Sequence, residues 1–182
     1  MGPLKVLIVG FGNLGKWHLK GLELARMGLQ IDVVDTDPVA LASGNEFISN
    51  MILPELAATV TVWNSLKECL HQERPFFDLV IVSTSAPGRM SVVKELVAND
   101  LAKHFLIEKP IETNVSNIKS MMKLLAGKSA FVNHPRRLMA WQKRIKKIVE
   151  KFDGIKCMIE HKDLALACNG SHFIDLVHWW TG

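Results

Sequence analysis

A glycine-rich segment, GFGNLG at residues 10–15, constrains the fold of this chain more than any other stretch of its sequence. It follows the apolar run KVLIV at residues 5–9 and precedes a segment with apolar residues at spacings of three and four. A buried strand, a tight turn and a helix are therefore predicted in that order. G-x-G-x-x-G in this setting is typical of a loop that brings a dinucleotide pyrophosphate to a helix N-terminus.

Short apolar segments alternate with helical segments as far as residue 133. This alternation predicts strand–helix units that build a parallel sheet with helices on both faces. The predicted fold class is therefore α/β, a doubly wound parallel sheet. In the first helix, the spacing is supplied by Leu14, Trp17, Gly21 and Leu24. Strands are predicted at 5–10, 31–35, 59–63, 77–84, 104–110 and 129–133, and helices at 13–28, 38–49, 65–73, 90–100 and 114–127.

An acidic residue, Asp35, closes the predicted second strand IDVVD. A carboxylate at this position accepts hydrogen bonds from the ribose hydroxyls of a dinucleotide and repels a 2′-phosphate. Together with the glycine loop it predicts a site for NAD, with NADP the less favoured cofactor. The alternative is a glycine turn beside an ordinary strand-end aspartate.

The predicted fifth strand ends in an unusual way, on Glu108, Lys109 and Pro110. Ligands of doubly wound sheets bind at the carboxyl ends of the strands, so Lys109 is expected on the ligand side. There its ammonium group can bind a substrate hydroxyl and favour a developing alkoxide. Glu108 is a candidate to orient the lysine, and Pro110 to fix the backbone through a cis bond. A strand-end charge pair followed by a turn is an equally good interpretation of the residues alone.

Composition and charge exclude several classes of protein. The 182 residues carry a formal net charge of +4, much of it in the segment 134–147. Leu138, Trp141 and Ile145 recur there at helical spacing, which predicts a helix with a packed apolar face rather than a nucleic-acid-binding surface. No apolar run is long enough to cross a membrane, and no signal peptide is expected. Three widely spaced cysteines favour reduced thiols in a cytoplasm over disulfides or a metal site.

Four segments together resemble the Gfo/Idh/MocA family of oxidoreductases: GFGNLG at 10–15, IEKPI at 107–111, VNHPRRLMAW at 132–141 and GSHFIDLVHWWTG at 170–182. The resemblance covers nearly the whole chain. It implies an NAD-binding Rossmann domain at residues 1–134, and the start of a substrate and oligomerisation domain at residues 135–182. It also implies a dehydrogenase that moves a hydride between NAD and a hydroxyl carbon of a sugar, nucleotide sugar or polyol.

The same resemblance assigns roles to individual residues. Lys109 is implied to be catalytic, and His172 to be the acid/base or substrate-binding residue. Asp175 lies one helical turn beyond His172, where it can orient the imidazole or a substrate hydroxyl. From the residues alone, a buried histidine at the start of a helix is the alternative for His172. The cofactor-binding residues so expected are Gly10, Phe11, Gly12, Asn13, Leu14, Gly15, Asp35, Thr84, Glu108 and Lys109.

The sequence departs from the family pattern in three places. Cys168 stands where many members have an aspartate, four residues before the histidine. Arg89 stands where a histidine usually follows the fourth strand, and either an anionic ligand or solvent is its expected neighbour. The second domain offers one candidate strand, IKCMIEHK at 155–162, so an incomplete α+β domain is expected. A lone strand leaves an open edge, which favours a homo-oligomer or a partner segment.

Three functions therefore stay open at the level of sequence. The first is an NAD-dependent dehydrogenase of sugars or polyols. The second is an NAD-binding module without catalysis, which is truncated, regulatory or dependent on a partner. The third is a non-redox enzyme on the same frame, such as an NAD-dependent hydrolase or lyase. The sequence identifies neither the substrate nor the direction of reaction.

Overall fold

Six parallel strands form the sheet in this computed structural model, which describes residues 2–57, 59–71, 76–160, 162 and 166–182. In chain order they are β1 Leu4–Val9, β2 Leu29–Val34, β3 Val60–Trp63, β4 Phe77–Val82, β5 Ala102–Ile107 and β6 Ser129–Val132. Their order across the sheet is β3-β2-β1-β4-β5-β6. The chain runs outward from β1 on one side and then from β4 on the other, which confirms the predicted doubly wound sheet.

Helices follow most of the strands. They are α1 Asn13–Leu24, α2 Pro38–Ser49, α3 Pro54–Ala57, α4 Leu66–Leu70, α5 Arg89–Ala98, α6 Val115–Leu124, α7 Ala140–Val149 and α8 Leu166–Thr181. Side-chain oxygens cap three of them: Asp37 accepts from Val39 N, Ser65 from Glu68 N, and Asn114 from Ser116 N. Each cap satisfies a backbone donor that the helix itself leaves without a partner. None of the helices in the described ranges is both long enough and apolar enough to span a membrane.

The central strands are buried on both faces of the sheet. Leu7 and Val9 of β1 belong to one apolar cluster, and Val6 and Ile8 belong to the other. Successive strand residues point to opposite faces, so a continuous apolar run such as VLIV at residues 6–9 supplies both clusters at once. The β4 strand likewise contributes to both clusters, through Val80 and Val82 on one face and Ile81 on the other.

The buried face of α1 is not the apolar stripe from which the helix is predicted. Trp17 and Leu24 are 71% and 67% exposed, whereas Gly15, Leu19 and Glu23 face inward. Gly15 fixes this rotation, because a side chain there would overlap the carbonyl oxygen of the glycine loop. The spacing of three and four therefore predicts the helix correctly without marking its buried face.

The chain divides into two compact units, Met1–Val132 and Asn133–Gly182. The second unit contains a 3-10 helix at Pro135–Leu138 followed by α7 and α8. The single helix predicted over 134–147 is wrong, because Met139 has an extended backbone that separates the 3-10 helix from α7. This break removes the register between Leu138 and Trp141, and both side chains are exposed rather than packed.

The strand predicted at 155–162 is also wrong over residues 155–160, which have no regular secondary structure. An isolated extended segment becomes a strand only when a second strand pairs with its backbone. The described part of the second unit contains no such partner strand. Residue 161 lies outside the described residues.

Candidate functional site

A cavity of about 670 Å³ opens at the carboxyl ends of β1, β2 and β4. The sheet order reverses between β1 and β4, and crevices at such a point are where doubly wound sheets bind their ligands. Four of the predicted cofactor residues line this cavity: Gly10, Gly12, Asp35 and Thr84, the last of which follows β4.

The glycine loop is closed toward the sheet and open toward the cavity. Gly10 has φ +95°, and a Cβ atom there would lie 2.7 Å from the backbone nitrogen of Thr84. A Cβ atom on Gly12, by contrast, would meet no atom within 4 Å. A ligand can therefore approach the backbone at Gly12 without a side chain in its way.

The N-terminus of α1 begins at this open position. Gly12 is the N-cap residue and offers no side-chain oxygen to the first backbone N–H groups. These donors, together with the positive end of the helix dipole, suit a phosphate group. Asn13 and Leu14 occupy the first turn of α1 and are exposed, and Leu14 is 45% accessible.

Asp35 ties the loop to the end of β2. One carboxylate oxygen accepts from the backbone nitrogen of Phe11 at 2.5 Å, and the other accepts from Asp37 at 2.9 Å. Each carboxylate oxygen keeps a further lone pair for a ligand hydroxyl. The ring of Phe11 is fully buried, so this residue contributes its backbone to the site rather than its side chain.

Two residues after β4 complete the cavity. Ser83, which sequence reasoning missed, donates its hydroxyl to the carbonyl oxygen of Gly10 at 2.6 Å and so fixes the loop. The buried hydroxyl of Thr84 finds no hydrogen-bond partner in the part of the chain that the structure describes. A buried polar atom without a protein partner calls for an explanation, and a ligand in the cavity that Thr84 lines supplies one. The residues present thus fit a dinucleotide.

Glu108 and Lys109 lie at the end of β5. Glu108 is only 2% exposed, and its carboxylate lies 2.8 Å from the Nε2 atom of His18 on α1. The same carboxylate accepts from the backbone nitrogen of Lys109 at 3.2 Å. The peptide bond between Lys109 and Pro110 is cis, as the sequence suggested. His18 was missed at the level of sequence, although its place one turn after Gly15 puts it close to the buried face of α1.

Arg89 is not solvent-exposed, and that part of the sequence interpretation is wrong. Its side chain is 2% exposed at the start of α5. The guanidinium donates to the backbone carbonyls of Thr84, Glu108 and Pro110. Burial lowers the pKa of Arg89, while the negative charge of Glu108 opposes that shift. The local sequence around Arg89 does not predict these partners, because Thr84 follows β4 whereas Glu108 and Pro110 follow β5.

A second group of polar side chains lies within the second unit. Asp175 on α8 accepts from Nε of Arg137 at 2.6 Å and also from its Nη2 atom. These hydrogen bonds raise the pKa of the Arg137 guanidinium. His134 lies 3.5 Å from the same carboxylate, and its ring meets that of His172 edge-on with centroids 5.3 Å apart. His172 is 8% exposed.

The neighbouring residue Asn169 accepts a hydrogen bond from Nη2 of Arg136 at 3.3 Å. The guanidinium of Arg136 also lies 4.5 Å from the centroid of the Phe173 ring. The side chain of Cys168 lies outside the described residues. The roles predicted for Lys109, His172 and Asp175 stay predictions.

Comparison with protein families gives one match. The model of the Gfo/Idh/MocA oxidoreductase family, described as an NAD-binding Rossmann fold, matches residues 4–134. A search of curated protein sequences gave no match.

Several solved structures share this architecture. The WlbA dehydrogenase from Chromobacterium violaceum, solved with NADH and UDP-GlcNAcA, is 23% identical with a TM-score of 0.77. The alignment covers 100% of this chain and 56% of that one. For scyllo-inositol dehydrogenase from Lactobacillus casei, the identity is 18%, the TM-score 0.75 and the coverages 100% and 55%. A super-repressor mutant of Gal80p from Saccharomyces cerevisiae is 14% identical with a TM-score of 0.71, and the alignment covers 99% of this chain and 53% of that one.

These likenesses, at such low identity, show the fold alone. The chain spans about 56% of the length of the WlbA dehydrogenase.

Proposed function

The chain belongs to the Gfo/Idh/MocA oxidoreductase family and has its NAD-binding Rossmann domain, and from this premise we propose that it acts in hydride transfer to or from NAD. The proposed substrate carries a hydroxyl carbon on a sugar, nucleotide sugar or polyol. The observation that carries the proposal is the cavity in which Gly10, Gly12, Asp35 and Thr84 come together.

The proposed cofactor contacts follow from the chemistry of these residues. The N-terminus of α1 and the backbone at Gly12 would hold the pyrophosphate. Asp35 would accept hydrogen bonds from the ribose hydroxyls, and its charge would disfavour a 2′-phosphate. The unpartnered hydroxyl of Thr84 would donate to or accept from the cofactor. When bound, NAD supplies a carbon that accepts or returns a hydride.

The proposed proton chemistry rests on Lys109 and His172. The Lys109 ammonium would donate a hydrogen bond to the substrate hydroxyl oxygen and favour its alkoxide form. His172 would accept the hydroxyl proton on an imidazole nitrogen, because histidine can change its charge near neutral pH. Asp175 would help to orient the imidazole of His172 through His134. The Asp175 carboxylate lies 3.5 Å from His134, and the His134 ring meets the His172 ring edge-on. The resemblance to the family supports these roles.

A substrate with several hydroxyl groups is supported by the solved relatives. One was crystallised with UDP-GlcNAcA and another is an inositol dehydrogenase. An NAD-binding protein without turnover is the second candidate, and the likeness to a Gal80p repressor favours it. Net conversion of NAD in the presence of substrate separates the two candidates, because a regulatory protein binds the cofactor and leaves it unchanged.

The first test is a titration of the purified chain with NADH and, separately, with NADPH. Energy transfer from the five tryptophans to the bound dihydronicotinamide reports binding. We expect saturable binding with a preference for NADH, and we expect Asp35→Asn to reduce that preference. A folded chain that binds neither cofactor would contradict the proposal for this polypeptide.

A positive titration leads to a turnover assay. Polyols and nucleotide sugars are screened for NAD reduction, with Lys109→Ala and His172→Ala as controls. Both variants are expected to bind NADH and to lose turnover. Turnover that survives in both variants would remove these residues from the reaction.

A further inference from the structure

Arg89 has the largest side chain among the fully buried residues that the structure describes. A buried guanidinium is costly to desolvate, and a well-packed apolar side chain often fills the same space with no loss of stability. A charge retained in such a place therefore calls for an explanation beyond filling the core.

The partners of Arg89 give that explanation. One carbonyl belongs to Thr84, just after β4, and lies beside the cofactor cavity. Two others belong to Glu108 and Pro110, the residues on either side of Lys109, and a weaker contact of 3.4 Å reaches Ile111. A single side chain thus joins the ends of two neighbouring strands and binds the backbone on both sides of the lysine.

The geometry of the guanidinium suits this arrangement. Its N–H groups diverge in one plane, so the Nη1 and Nη2 atoms can serve separate segments at the same time. A lysine in its place would keep the charge but present a single nitrogen on a flexible stem. A histidine in its place would offer only two ring nitrogens.

We propose that Arg89 is a positioning residue that sets the backbone of Lys109 and aligns it with the cofactor cavity through Thr84. The inference rests on the proposed function, because it gives Lys109 a position that the reaction uses. It goes beyond that function in naming the group that holds the lysine in place. Glu108 also contacts this turn, because its carboxylate accepts from the backbone nitrogen of Lys109 and lies 2.8 Å from Nε2 of His18.

The experiment observes Lys109 directly. Lysines are labelled by reductive ¹³C-methylation, and the Lys109 methyl signal is assigned by its absence from Lys109→Arg. Arg89→Ala is then compared with the native chain, alone and with ethylguanidinium, which replaces the missing side chain. Ethylammonium is the matched control, since it has the same charge without the planar fork. Arg89→Lys repeats this control within the protein.

We expect the Lys109 signal of Arg89→Ala to move to the position of exposed lysines. Ethylguanidinium is expected to return it toward the native position, and ethylammonium to leave it shifted. Arg89→Lys is expected to fold and to show the shifted signal. A native signal in a folded Arg89→Ala or Arg89→Lys would overturn the proposal. Failure of both variants to fold would also overturn it, because Arg89 would then serve general stability.

The NADH titration of the native chain keeps the two ideas apart. If the native chain does not bind NADH, the proposed function is contradicted. The Lys109 signals of the native chain and the Arg89 variants would still show whether Arg89 positions the turn. Conversely, NADH binding with an unshifted Lys109 signal in the variants would remove only the role of Arg89.

Discussion

Apolar side chains fill both faces of the sheet in the first unit, Met1–Val132, whereas the second unit, Asn133–Gly182, combines charged and ring contacts with the buried side chain of Leu176. In the second unit Asp175 joins Arg137 and His134, while Ile148 and Ile174 are 57% and 73% exposed. Burial of apolar area is the main stabilising contribution to folding. The difference teaches that truncation of a buried apolar side chain in the first unit should lower the free energy of unfolding more than loss of a charge in the second unit.

The largest effect should come from a truncation in the core of the first unit. Phe105 on β5 is 1% exposed, so Phe105→Ala should lower the free energy of unfolding by about 3–5 kcal/mol. Ile148→Ala, on the exposed side of α7, should change it by less than about 0.5 kcal/mol. Urea unfolding followed by circular dichroism measures both. Equal losses in the two variants would break the comparison between the units.

Gly44 on α2 tests how the core of the first unit supports the glycine loop. A Cβ atom at Gly44 would overlap the ring of Phe11, whose backbone nitrogen is bound by Asp35. Gly44→Ala should therefore cost about 1–3 kcal/mol of stability and weaken NADH binding.

Gly21→Ala is the matched control, because a Cβ atom there meets no atom within 4 Å. This change should stabilise α1 by about 0.5–1 kcal/mol and leave NADH affinity unchanged. Calorimetry and the fluorescence titration measure the two quantities. An undisturbed NADH affinity in Gly44→Ala would show that α2 does not support the loop.

The described thiols of the two units lie in different environments. Burial raises the pKa of Cys69, which lies in an apolar cluster of the first unit, from 9.0 to about 12, whereas Cys157 in the second unit is exposed. Above pH 9 the unfolded chain releases the Cys69 proton and the folded chain keeps it, so stability should fall as pH rises. The slope should approach about 1.4 kcal/mol per pH unit until the folded thiol ionises.

Urea titrations at several alkaline pH values, with reductant present, measure this slope. Cys69→Ala should remove it, and Cys157→Ala should leave it unchanged. A slope that persists without Cys69 would assign the alkaline loss of stability to other groups.

A modest effect is expected for a charge pair of the second unit. Asp175→Asn removes the charge that binds Arg137, and the loss should be about 1 kcal/mol because water screens the partly exposed guanidinium. Glu150→Gln is the control, since its pair with Lys146 is 3.3 Å long and the carboxylate side chain is 52% exposed. Hydrogen exchange of the α8 amides should detect the first change and not the second. Equal protection in the two variants would deny Asp175 a stabilising role.

The sequence predicted most of the first unit and less of the second. Each strand–helix unit of the sheet has an apolar run and a helical spacing of its own, so its elements were found without long-range information. The strand expected at 155–162 failed because pairing depends on a partner elsewhere in the chain. The helix expected over 134–147 is interrupted at Met139, which has an extended backbone. Any residue can adopt this conformation, so the sequence carries no local sign of the break.

The sequence by itself determined the strand, the glycine turn and the helix at residues 4–24, and it placed Asp35 and Lys109 at strand ends. These features are local, since each depends on a few neighbouring residues and on the period of the element. Only the tertiary structure decided which face of α1 is buried, that His18 meets Glu108 across 90 residues of sequence, and that Arg89 is enclosed. Those facts depend on how separate strands align in the sheet, and a charged side chain gives no local sign that carbonyl groups from two other segments will surround it.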